Sequence, residues 1–244
     1  MGCAHRENQD GFTLVEISIV MIIIGLLIGG TFGGMQLIES GKVTKTASEL
    51  KSYDAGGLTF RDTYGRLPGD IRTPGTRLPN CTALPCSTGG NGDRMVGGNF
   101  DGSAITATSE QFLFWQHMLA ADLISNVKPV SDLTFGEGQP DSPLDSGGYR
   151  MIGISSIQGS TMVSVGKHAL WASENASDAY AGVVGGPQDS ILCDQIRKLD
   201  VKMDDGNPSR GRVVGGGLCT DRVDWETWTT NNGQQGGLFY QLAF

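Results

Sequence analysis

Basic residues are in the minority in this chain: 18 Lys and Arg stand against 26 Asp and Glu, for a formal net charge of −8 at pH 7. A nucleic-acid-binding protein normally shows a basic footprint, so this balance argues against a nucleic-acid partner. The signatures of catalysis are missing too. No Gly-x-Ser-x-Gly nucleophile elbow occurs, and Gly166-Lys167 is followed by His168 with the wrong upstream spacing for a phosphate loop. His168 has no identifiable nucleophile or orienting acid beside it, so no enzymatic activity is expected. Neither a CxxC pair nor a histidine cluster is present, which removes the four converging ligands a structural zinc needs. Proline is absent between Ile17 and Ile38, and so is every charged side chain.

That last absence marks the most informative stretch. Ile17 to Ile38 is a run of 22 residues without Asp, Glu, Lys or Arg. At ~1.5 Å of rise per residue it makes a helix of about 33 Å, enough to cross a bilayer core. An ordinary secretory signal has a shorter apolar run followed by a small-x-small cleavage site; here the run is too long, and glycines follow it. A plain anchor has no reason for Glu16, a lone carboxylate at the helix entrance. An acid there costs several kcal/mol unless it finds a partner, which makes it a functional candidate.

Gly11-Phe12-Thr13-Leu14-Val15-Glu16, leading into an Ile/Val/Leu helix, resembles the prepilin leader-and-helix motif of type IV pilins and type II secretion pseudopilins. The resemblance implies cleavage between Gly11 and Phe12 by a prepilin peptidase, with N-methylation of the new Phe12 amine. Glu16 then becomes the fifth mature residue, whose carboxylate answers a charged N-terminal amine, its own or a neighbour's, during filament assembly. Opposite charges in low dielectric offset each other's desolvation, which fits that role. The implied location is the bacterial inner membrane, as a single-pass precursor, and then a periplasmic or cell-surface filament. Two details depart from the pattern. The leader Met1–Gly11 has Arg6 as its only Lys or Arg, while Lys42, Lys45 and Lys51 follow the helix, so the positive-inside rule does not support the implied orientation. The mid-helix proline common in pilins is also missing; Gly29, Gly30, Gly33 and Gly34 occupy that region.

The resemblance implies an α+β, pilin-like fold: a long N-terminal helix packed on a C-terminal globular domain with a small antiparallel sheet. The expected divisions are a leader at 1–11, a membrane and filament-core helix at 12–38, its amphipathic continuation at 39–64, and the domain at 65–244. Val43, Ala47, Leu50, Tyr53, Gly57, Phe60 and Tyr64 form one helical stripe, with Gly65 and Pro68 as stop signals. Two separate helices broken at the glycine cluster are the alternative. Residues 67–108, rich in Pro, Gly, Asn and Asp, read as an ordered loop region. Thr108-Ser-Glu-Gln111 predicts a capping box for a second helix that buries Phe112, Trp115, Leu119 and Leu123 and leaves His117 on the surface. β-like runs are expected at Tyr149–Ser155, Thr161–Val165, Ala169–Ala172, Gly211–Val214 and Leu238–Phe244. A third helix, capped by Asp189 or Ser190, carries Leu192, Ile196, Leu199 and Met203 on one face.

Cysteine arithmetic points outside the cytoplasm. Cys3 leaves with the leader, and the remaining four allow three pairings; Cys81 with Cys86 and Cys193 with Cys219 is the favoured one. No cofactor is required, but a structural calcium ion is a candidate at Asp200, Asp204 and Asp205, where carboxylates cluster at a helix end. A second candidate combines Asn91 and Asp93 with Asn99 and Asp101. Gly25, Gly29 and Gly33, four residues apart, make a ridge that allows close helix approach in lipid and is expected to pack against other subunits. The expected function is thus a structural subunit of a type IV pilus or type II secretion pseudopilus, its partners being a prepilin peptidase, other pilin or pseudopilin subunits and the inner membrane. The alternative is a monomeric, membrane-anchored extracytoplasmic binding protein.

Overall fold

A computed structural model of the chain describes residues 11–97, 104–144, 147–154, 167–173, 191–207, 211–215, 219 and 235–244. Two compact units emerge, Met1–Gly41 and Lys42–Phe244. Helix α1, Leu14–Tyr64, runs through both as one element of 51 residues. It does not break at the glycine cluster, and it begins two residues later than Phe12. In the first unit its apolar side chains are exposed, with Leu14 at 87 % and Phe32 at 67 %. This helix is long and apolar enough to cross a membrane, with a mean hydropathy of 2.4 in its most apolar window.

Within the second unit, the last six turns of α1 form the spine of an α+β domain. Val43, Ala47, Leu50, Tyr53, Gly57 and Phe60 are buried, and Tyr64 is half-buried. Burying such a stripe, at roughly 1.5–3 kcal/mol for each large side chain, is what stabilises a helix that has no intrinsic reason to stay isolated. The Gly65 amide bonds the Arg61 carbonyl (2.8 Å) from a left-handed conformation (φ 68°), which closes the helix where Gly tolerates it best.

A four-stranded antiparallel sheet packs on this spine in the order β1-β2-β6-β4, from Gly148–Ile154, Lys167–Ser173, Leu238–Gln241 and Val213–Gly215. Pairings Tyr149↔Ala172, Met151↔Leu170 and Leu170↔Tyr240 set the register. The period of two then puts Tyr149, Met151, Leu170, Ala172, Leu238 and Tyr240 into one core with Leu50 and Tyr53 of α1. A two-stranded pair, β3 (Ile191–Leu192) with β5 (Gln235–Gly236), was not expected. The anticipated strand at Thr161–Val165 lies outside the described residues.

Three local expectations are corrected. Helix α3, Glu110–Ala120, has Ser109 as its N-cap, without a side-chain capping bond. The Ser109 hydroxyl instead accepts the Thr106 amide (2.9 Å), and Glu110 turns to the loop described below. His117 is fully buried rather than on the surface, because α3 is covered on every side and Phe112 through Met118 are all inaccessible. Helix α4, Cys193–Met203, starts after Leu192, which is its N-cap and is partly exposed; Asp189 and Ser190 lie outside the described residues. A single turn, α2 (Pro74–Arg77), also forms within the loop region. Cys81–Cys86 and Cys193–Cys219 are disulfides, with Cα separations of 5.2 and 5.4 Å.

Candidate functional site

The N-terminal segment is built around Thr13. Its main-chain N–H and its hydroxyl both donate to Glu16 Oε2 at 2.8 Å, and the Glu16 amide donates back to Thr13 Oγ1 at 3.3 Å. Thr-x-x-Glu is a capping box in which two orphan donors of the first helical turn are satisfied reciprocally. The box places the helix start at Leu14 and leaves Gly11 and Phe12 in exposed, non-helical backbone. A protease needs a reachable peptide bond outside regular structure, and Gly11 and Phe12 are exposed and precede the helix. Thr13-Leu-Val-Glu16 is itself a Thr-x-x-Glu signature, so this capping partner of Glu16 is legible in the sequence beside the expected Phe12 amine.

Further along α1, a side chain added at Gly25, Gly29 or Gly33 would meet nothing within 4 Å. Gly30 and Gly34 are equally open. Among the described residues nothing requires these positions to be glycine, in contrast to Gly69 (φ 88°), whose Cβ would lie 2.4 Å from the Glu110 carbonyl oxygen.

Residues 6–32 match the family described as the prokaryotic N-terminal methylation motif. This chain carries the prepilin-type signature. No curated protein and no solved structure matches it. The prepilin motif implies processing by a prepilin peptidase and assembly with other pilin subunits, and with the apolar helix it is consistent with membrane anchoring.

Among the described residues, two acidic clusters lie in the domain of this prepilin-like chain. Asp200, Asp204 and Asp205 each offer an oxygen, all within 4.8 Å of one another. Asp200 is inaccessible; its Oδ1 accepts the Gly206 amide at 3.3 Å, and its Oδ2 has no hydrogen-bond partner. Burial, opposed by the Gly206 amide and reinforced by the Asp204 and Asp205 charges, pushes the Asp200 carboxyl up to about 7. Asp204 Oδ2 accepts the Arg212 and Val213 amides, and Asp205 Oδ1 accepts that of Asn207 (2.8 Å). The orphaned oxygen fits a hard cation, which takes oxygen ligands alone.

In the second cluster Asp93 meets Asp70 and Glu110; Asn99 and Asp101 lie outside the described residues. Here the oxygens serve the main chain. Glu110 accepts the Asn91 (2.7 Å) and Gly97 (3.0 Å) amides, Asp70 accepts that of Arg94 (3.0 Å), and Asp93 that of Met95 (2.7 Å). These acids tie the 91–97 loop to the start of α3. Cys81, Cys86 and His117 also converge, but the disulfide removes both thiolates as ligands.

Both histidines in the domain are structural. His117 Nδ1 accepts the Gly69 amide (2.9 Å), so Nε2 carries the proton and donates to the Cys86 carbonyl (3.0 Å). Burial holds this imidazole down to about 4. His168 Nε2 accepts the Val96 amide (3.1 Å), and Nδ1 donates to the Phe244 main-chain oxygen (3.1 Å).

Proposed function

We propose that this chain is the precursor of a structural filament subunit, cut at Gly11–Phe12, methylated on Phe12, and polymerised through its N-terminal helix into a type IV pilus or a type II secretion pseudopilus. The observation that carries the reading is the capping box of Thr13 and Glu16 set directly against an exposed Gly11–Phe12 bond within the methylation motif. The role is structural, and the precursor resides in the inner membrane. Glu16 holds the Thr13 donors in the isolated chain and sets the axial register in the filament by engaging a neighbour's Phe12 amine. Gly25, Gly29 and Gly33 let neighbouring helices approach closely, which their open surroundings support. Gly29→Leu and Glu16→Val should each be inserted and cleaved normally yet yield no filaments in electron micrographs. Normal filaments from both variants would refute helix-core assembly.

The Asp200, Asp204 and Asp205 group is assigned a structural Ca²⁺ on the strength of the unpartnered Asp200 oxygen. Its chemical contribution is to neutralise three converging carboxylates, so its removal should lower the melting temperature rather than alter any reaction.

A further inference from the structure

Beyond filament building, one cavity of the domain has the chemistry of an anion site. A cavity of about 310 Å³ is lined by Arg61, Arg66 and Arg94 together with Gly65, Leu67, His168 and Phe244. That volume falls at the small end of ordinary ligand pockets. No carboxylate side chain lines it among the described residues. On a chain with a net charge of −8, a cavity of this composition stands against the protein's own charge balance.

The three arginines come from three separate segments, so no helical or strand period gathers them: Arg61 from the last turn of α1, Arg66 from the turn after it, and Arg94 from the loop tied to α3. Each is held differently. Arg66 donates through Nη1 to the Gly92 carbonyl (3.2 Å), which leaves its other donors available. Arg61 reaches Asp62 only at 3.8 Å, with side chains 43 % and 76 % exposed, a contact of little energetic weight. Arg94 stands in the left-handed region at φ 72°, a conformation that disfavours a long side chain, and its amide is fastened to buried Asp70. Backbone strain of this kind clusters at ligand sites, and Arg94 is one of the residues that line this cavity. The ring nitrogens of His168 are both engaged, so it contributes a surface and not a donor.

We propose that this cavity binds a small organic anion, whose carboxylate or phosphate groups are gripped by the forked donors of Arg61, Arg66 and Arg94 while its carbon skeleton rests on Leu67 and Phe244. The site is independent of cleavage and polymerisation. The test uses the full chain in detergent micelles, in calcium-free buffer at fixed ionic strength, titrated calorimetrically with succinate, with inorganic phosphate and with neutral succinamide. Saturable binding of succinate or phosphate, and none of succinamide, is expected; the stronger of the two anions identifies the oxyanion preferred. Arg94→Gly separates binding from folding, because glycine accepts φ 72° while losing the guanidinium. Its melting temperature should be no lower than the parent's, while anion affinity falls by about tenfold or more. Arg66→Gln should weaken binding similarly, and Lys202→Gln, on a distant helix, should leave it unchanged. Absence of saturable anion binding by the parent chain, equal binding of succinamide, or undiminished affinity in Arg94→Gly would overturn the proposal.

Discussion

Thr13 and Glu16 exchange three hydrogen bonds at the head of a helix that carries no charged side chain from Ile17 to Ile38. Deleting an N-cap costs about 0.5–2 kcal/mol, so the box fixes where the helix starts without consuming the Gly11–Phe12 bond. His117 shows a residue whose location could not be read from spacing. By helical period it falls off the aromatic stripe, and only the aperiodic loop folding over the other face of α3 buries it. Its titration gives a signed prediction. Unfolded, the imidazole titrates near 6.5; folded, near 4, so between these values the unfolded chain binds more protons. The contribution of His117 is therefore complete above pH 6.5 and is lost as the pH falls toward 4, to the order of 3 kcal/mol. In His117→Asn the amide oxygen can still accept from Gly69 but cannot titrate. Denaturant unfolding at pH 4 and pH 7 should show a smaller acid loss in this variant than in the parent.

At the scale of elements, the long helix was legible because one stripe of three- and four-residue intervals runs from Val43 to Tyr64 and the glycines upstream do not interrupt it. The aromatic helix and the main sheet were legible for the same reason, periodicity. What escaped reading is non-local. The β3–β5 pair offers two residues on each side, too few for a pattern. The Arg212 guanidinium bonds buried Asp54, 158 positions away, and Asp54 also accepts the Ala243 amide (2.7 Å). No spacing rule links such partners. At the site, the acids Asp200, Asp204 and Asp205 were visible because they are neighbours in sequence, whereas Asp70 and Glu110 join Asp93 only through the fold. The disulfide from Cys193 anchors the first turn of α4, which lacks a side-chain cap. Cys193→Ser with Cys219→Ser should lower unfolding free energy by about 2–4 kcal/mol in denaturant titrations, and reductant should then cost the variant only what the remaining Cys81–Cys86 bond contributes.

For the molecule as a whole, the two units differ in what they bury: an exposed apolar helix before Gly41, and a domain with an aromatic core and two disulfides. Calcium at Asp200, Asp204 and Asp205 would stabilise only the second unit. Chelator should lower the domain's melting temperature and excess Ca²⁺ restore it, and Asp200→Asn should abolish both responses; an unchanged melt would remove the ion from the structure. The central claim, that the chain is a processed prepilin, is tested most directly by intact-mass and N-terminal peptide mass spectrometry of the protein isolated from the membranes of its own cells. The predicted result is a mature chain that begins at Phe12 and carries one methyl group on its amine. A chain that retains Met1 to Gly11, or one cut anywhere other than between Gly11 and Phe12, would contradict it.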